Sequence, residues 1–153
     1  MRFGTGSPVN AASSSGSQIQ VSSPANALSG PVNLTAYFSN GWLALAPSAF
    51  SYGPTVVSIL PNAGKPQGGD SVTVLGYGFG TNAGSVTVTI GGNAASVQNV
   101  QALPGFAAAL GLDSTYPFAL EQITLITPAG SAGKADLTIQ SPAGSATVTK
   151  AFQ

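Results

Sequence analysis

The chain has no cysteine and no histidine among its 153 residues. That excludes disulfides, thiolate nucleophiles, imidazole bases, and metal sites built on sulfur or imidazole. Charge is almost as scarce. There are four basic and four acidic residues, a charged fraction of 5% and a net charge of zero. An ordinary soluble domain carries roughly 25%. The cations Arg2, Lys65, Lys134 and Lys150 are scattered. Nucleic-acid binding needs several phosphate-neutralising cations on one face, so that class is rejected, and a polybasic membrane-surface site fails for the same reason. No apolar run approaches the roughly 20 residues needed to span a bilayer as a helix, so membrane insertion is not expected. The first residues show no apolar signal-peptide core, so an export signal, if the protein is exported, is expected upstream of this sequence.

What is present is apolar and small. Hydrophobic residues make up 43%, with 20 glycines and 11 prolines. That is enough to build a core and too much for a disordered tail. Polarity comes from Ser, Thr, Asn, Gln and Gly, so surface contacts should depend little on salt. Low charge with Ser, Thr and Gly richness fits an exported bacterial surface protein.

Short period-two runs alternate with Gly, Pro and Asn, which predicts an all-β protein. Strands are expected at 56–60, 71–75, 85–90, 95–100, 121–126, 135–139 and 146–149, a set sized for a β-sandwich of about seven strands. Upstream, strands are expected at 18–24, 32–38 and 42–46, with Ser39-Asn40-Gly41 as a tight turn favouring positive φ.

The upstream set repeats the downstream one. Gly30 to Thr35 is answered by Gly133 to Thr138, 103 positions on, and Phe50 by Phe152, 102 positions on. Gln18 to Pro24 matches Gln122 to Pro128, and Phe3-Gly4 matches Ile90-Gly91. Nothing upstream matches 56–60 or 71–75. Two domains follow: 1–53, the C-terminal half of a unit, and 54–153, a nearly complete one. Gly53-Pro54 is the junction, with proline restricting the hinge. Phe3 and Ile19 are 16 positions apart and Ile90 and Ile123 are 33 apart, so the second copy carries 17 more residues. This insertion, near 102–120, is apolar, and its Ala and Leu content suits a short helical turn over 106–112.

Pro54, Pro61-Asn62-Ala63-Gly64, Gly68-Gly69-Asp70 and Gly76-Tyr77-Gly78-Phe79 together resemble the opening of an IPT/TIG domain. Gly91-Gly92-Asn93-Ala94-Ala95, Thr127-Pro128 and Gly133 to Thr138 continue that pattern, whereas the insertion departs from it. The resemblance covers about the last hundred residues. It implies an immunoglobulin-like sandwich, of the kind shared by plexins, Rel-type transcription factors and tandem arrays in bacterial secreted or surface proteins. It supplies no catalytic residues and no cofactor.

Candidate sites are few. Asp70, Asp113, Glu121 and Asp136 are too dispersed for the paired carboxylates of glycoside hydrolysis. They read instead as turn caps and solvated strand positions. Lys134 or Lys150 with Glu121 are the only groups available for an intramolecular isopeptide bond, and all three are expected on polar strand edges. No dense run of acidic residues suggests calcium. Gly76 to Gly80 lacks the following helix and Lys-Ser/Thr of a phosphate loop. Trp42, Tyr37 and Tyr116 are candidates for stacking on a carbohydrate. Alternation turns Tyr37 outward and leaves the face of Trp42 open. Phe106, Leu110, Leu112, Tyr116 and Phe118 form the candidate interaction surface. They either fold over the sandwich end, cover the incomplete first unit, or face a partner.

The expected role is therefore a non-catalytic structural or adhesive module of a secreted or cell-surface bacterial protein, a spacer or protein-interaction unit. One alternative is a carbohydrate-binding accessory domain of an extracellular polysaccharide-acting enzyme. Another is a self-assembling subunit using exposed strand edges. Partners on these readings are a protein, neighbouring copies of the same module, a polysaccharide, or a second copy of the chain.

Overall fold

The structure is a computed structural model that describes residues 1–25, 30–103 and 120–153. The first unit contains β1 (Arg2–Phe3), β2 (Ser13–Ser14), β3 (Ile19–Gln20), β4 (Gly30–Tyr37) and β5 (Leu43–Tyr52). The second contains β6 (Thr55–Leu60), β7 (Ser71–Tyr77), β8 (Thr87–Ile90), β9 (Asn93–Ala94), β10 (Ser96–Ala102), β11 (Leu120–Ile126), β12 (Ala135–Ser141) and β13 (Gly144–Phe152). A 3-10 turn, Ala83–Ser85, precedes β8.

The second unit is an immunoglobulin-like sandwich. One sheet has the order β10-β11-β7-β6 and the other β13-β12-β8-β9. Alternation decides which side chains meet between them. Val72 and Val74 of β7 and Ile123 and Leu125 of β11 are fully buried from one sheet. Val88 and Ile90 of β8 and Leu137 and Ile139 of β12 are buried from the other. Phe79 and Phe152 join the same core. The threonines between those positions face out, and Thr138 and Thr147 share a hydroxyl–hydroxyl bond of 2.9 Å across β12 and β13.

The first unit reproduces one sheet of the second. Its order is β1-β4-β5, where the second has β8-β12-β13. Phe3 pairs with Leu34 as Ile90 pairs with Leu137. Leu34 pairs with Ala46 as Leu137 pairs with Val148. A bulge interrupts each hairpin at the same place, between Val32 and Leu34 and between Ala135 and Leu137. At each bulge a non-glycine residue takes positive φ, Ser48 at 49° and Lys150 at 54°. The Ser48 N–H donates to Asn33 Oδ1 at 2.9 Å and the Lys150 N–H to Asp136 Oδ1 at 2.7 Å. The same Asn33 and Asp136 accept on their carbonyls from Gly4 at 2.8 Å and Gly91 at 2.9 Å. An Asn or Asp three positions after the repeat's glycine thus ties three strands together in both units.

Three expectations are corrected. The strand expected over 18–24 shrinks to Ile19–Gln20, paired only with Ser13–Ser14. Its counterpart β11 lies between β10 and β7, and the first unit has no strand in the β7 position among the described residues, so the apolar alternation at Ile19 and Val21 has nothing to pair with. The strand expected from 85 starts at Thr87, because Ala83–Ser85 turns under an Asn82 cap. The last strand of the first unit is Leu43–Tyr52, longer than 42–46, and Trp42 lies in the turn before it.

Candidate interaction surface

The Gly76-Tyr77-Gly78-Phe79 motif and Gly53-Pro54 meet at the junction. β7 ends at Tyr77, Gly78 turns at φ 72°, and Phe79 enters the core. A side chain at Gly76 would collide with the Thr55 carbonyl and the Phe79 ring, and one at Gly78 with the Gly53 carbonyl. Glycine at both positions lets the interdomain backbone lie flat on the second unit. Ser141 Oγ donates to the Gly78 carbonyl at 2.7 Å, and buried Pro54 lies against Gly78 and Gly144. On the other side, Phe3, Phe50 and Tyr52 pack edge to face, with ring centroids 5.2 Å apart for Phe3–Phe50 and 5.0 Å for Phe50–Tyr52. Such contacts add roughly 0.5–1.5 kcal/mol beyond area burial.

The acids serve the fold. Glu121 does not lie on a solvated edge as expected. It is half-buried, and its Oε2 accepts from the Phe79 and Gly80 N–H groups, the latter at 3.0 Å. Burial pushes its carboxyl above the ordinary carboxylate range, and the two backbone donors pull it partly back. Asp70 caps the 65–70 turn. Its Oδ2 accepts from the Lys65 N–H at 2.7 Å and its Oδ1 lies 3.3 Å from Lys65 Nζ. The backbone bond from Lys65 is the main cause of its lowered pKa, ahead of the exposed ion pair. Asp136 clasps the bulge. Asp113 lies outside the described residues. Among the described residues no three potential metal ligands come together.

The aromatic candidates separate. Cα partners Tyr37 and Leu43 share the outer face of the first sheet, where Tyr37 is 52% exposed. The register continues to Phe38 and Trp42, joined by the Phe38 N–H to the Trp42 carbonyl at 2.9 Å. Alternation puts this pair on the inner face with Leu34, Ala36, Ala44 and Ala46. Trp42 is 75% exposed and Phe38 45%. Trp42 and Tyr37 therefore do not form one stacking platform. Tyr116, Phe106, Leu110, Leu112 and Phe118 lie outside the described residues. The ends of that insertion are closed by a bond from the Leu103 N–H to the Leu120 carbonyl at 3.0 Å.

One further feature was not foreseen from sequence. A cleft of about 560 Å³ opens at the far end of the second unit, with Lys65, Lys134 and Asp136 as its charged lining. Gly91, Gly92, Gly130 and Gly133 contribute bare backbone. In the sequence these residues read only as turns, and nothing in their spacing signals that three loops converge.

Residues 54–103 match the family model described as IPT/TIG domain. The chain carries an IPT/TIG domain. The matched segment runs from the junction proline through β10, and the sandwich continues beyond it to β13. No curated protein sequence matches the chain. Several solved structures are similar, among them the following three. The full extracellular region of plexin A4 matches at 19% identity and TM-score 0.48, over 88% of this chain and 10% of that one. SGBP-B from a complex xyloglucan utilization locus in Bacteroides uniformis matches at 19% identity and TM-score 0.44, over 88% and 32%. An auxiliary nutrient binding protein from Bacteroides ovatus matches at 25% identity and TM-score 0.44, over 66% and 21%. The chain thus spans less than a third of each of these structures. Within the IPT/TIG unit, the Gly-x-Gly-Phe turn, the Glu121 clamp and the Asp136 clasp are all structural devices.

Proposed function

We propose that the chain is a non-catalytic structural and interaction module of an extracellular or cell-surface protein, in which the IPT/TIG sandwich holds a neighbouring unit at a fixed angle. The carrying observation is the junction. Gly53-Pro54 is wedged between the Gly78 turn and Gly144, so the linker has little room to bend. Asp70, Glu121 and Asp136 are each committed to backbone bonds, which accounts for these acids without catalysis. The absence of cysteine lets single labels be placed at will. Spin labels at Ser39→Cys and Ser131→Cys should give one narrow distance distribution. A broad or multimodal distribution would contradict the spacer reading.

A second reading, a carbohydrate-binding accessory role, is favoured by the exposure of Trp42 at a hairpin tip. Retention on insoluble glucans that Trp42→Ala abolishes would support it. Absence of retention on any polysaccharide would exclude it.

A further inference from the structure

The second unit supplies a control for the outer face of the first sheet. Residues paired across strands share a face. Arg2 pairs with Thr35 and Thr35 with Leu45, and Tyr37 pairs with Leu43 in the neighbouring row. In the second unit Thr89, Thr138 and Thr147 take the first row, and Gln140 and Ser145 the other. Gln140, Ser145 and Thr147 are exposed, although the inner side of their sheet is sealed over Leu137 and Ile139. Sealing the inner face therefore leaves the outer face open, and the register does not call for apolar residues there. In the first sheet Tyr37, Leu43 and Leu45 nevertheless occupy it, at 52%, 63% and 53% exposure. A contiguous apolar group of this kind marks an interaction surface, where scattered ones would not. Arg2 borders the group. Its Nε donates to the Gly6 carbonyl at 3.0 Å and its Nη2 to the Thr5 carbonyl at 3.1 Å. These bonds orient the guanidinium without neutralising it. The ion pair found among the described residues is Lys65–Asp70, and residues 3–64 contain no acid.

We propose that this outer face docks a protein partner that presents one carboxylate beside apolar side chains. The carboxylate meets the Arg2 guanidinium, and the apolar side chains cover Tyr37, Leu43 and Leu45. Tyrosine and arginine are among the residue types that carry most interface energy. A guanidinium already held by two backbone carbonyls loses little freedom on pairing, and its planar fork matches a carboxylate. Charge complementarity selects the partner, because an acid finds its counterion here and a cation meets Arg2. A glycan fits less well. Tyr37 is the one ring in the group, set beside branched leucines that offer no flat platform. A second copy of the chain is a poor partner, since its Asp70, Glu121 and Asp136 each already accept a backbone N–H. The inference rests on the interaction-module reading. The spacer role is tested separately by the label distance, so the two can fail independently.

A displayed library of random short peptides, panned on the intact chain immobilised through Ser131→Cys, tests the proposal. Enriched peptides should carry an Asp or Glu next to apolar residues, and a synthetic copy should bind saturably. Arg2→Gln should weaken that binding about tenfold, and so should replacing the peptide's acid by its amide. Combining the two changes should add no further loss, because both remove one pair. Tyr37→Gln with Leu43→Ser and Leu45→Thr installs the second unit's residues in the same register and should abolish binding, while Ala44→Ser on the inner face should leave it unchanged. If the triple variant does not fold, the Arg2 cycle decides alone. The proposal is overturned if panning enriches nothing, if acid-free peptides bind wild type and Arg2→Gln equally, or if binding survives the folded triple variant. It is equally overturned if the triple variant abolishes binding of a neutral or uronic-acid polysaccharide, or dissociates a dimer seen by sedimentation, which would make a glycan or a second copy the occupant.

Discussion

Two carboxylates set opposite pH dependences in the second unit. Glu121 is raised by burial, so the folded state holds its proton more tightly than the unfolded chain. Its contribution is present below the unfolded pKa and is lost as pH rises through the raised folded value. Asp70 is lowered by its backbone bond from Lys65, so its contribution is present at neutral pH and is lost as pH falls below that range. The stability of wild type relative to Glu121→Gln should therefore rise on acidification, while its stability relative to Asp70→Asn should be largest at neutral pH. Urea denaturation from pH 3 to 7 measures both, and a difference of the wrong slope would contradict the burial assigned to Glu121. At the bulges, Asp136→Ala should cost about 0.5–1.5 kcal/mol by orphaning the Lys150 N–H, and Asp136→Asn should restore most of it. At this scale the sequence was partly legible. Asp70 follows two glycines and reads as a turn cap, but Glu121 reads as solvated, because the loop it clamps lies some 40 positions away and only the register of β11 on β7 brings them together.

The elements were easier to read where both faces are committed. Val86-Thr87-Val88-Thr89-Ile90 and Ala135 to Ile139 alternate because one side faces a core and the other water, and both form strands close to where expected. Alternation alone could not orient β5, since Leu43 and Leu45 on one side compete with Ala44 and Ala46 on the other. The pairing Leu34–Ala46 resolves it and leaves Leu43, Leu45 and Tyr37 on the outer face. In the second unit the matching outer positions are Gln140, Ser145 and Thr147. The failure at 18–24 has a different cause, since strand propensity there depends on a neighbouring strand that is not found beside it among the described residues. The turn between β7 and Phe79 gives the sharpest element-scale test. Gly76→Ala forces a methyl into the Thr55 carbonyl and the Phe79 ring, and should lower stability by about 2–3 kcal/mol. Gly130→Ala, which meets nothing within 4 Å, should be near neutral. Equal thermal shifts for the two would contradict the close packing of β6 on β7.

At the largest scale, the β1-β4-β5 sheet repeats the order β8-β12-β13, and among the described residues only the second is faced by another sheet. The repeated half carries the bulge, its Asn or Asp clasp and the closing phenylalanine in both copies. The unrepeated strands β6 and β7 decide which copy has a sealed core. Three strands with one open face are marginal by themselves, whereas two stacked sheets share a cooperative core. Amide hydrogen exchange on the intact chain measures this difference directly. The account predicts two tiers. Amides of β7, β11 and β12 should exchange only through global opening, and those of β4 and β5 should exchange at least tenfold faster through local opening, fastest toward Tyr37 and Leu43. Uniform protection of β4, β5 and β12 would contradict it, because it would mean that the first sheet is already covered.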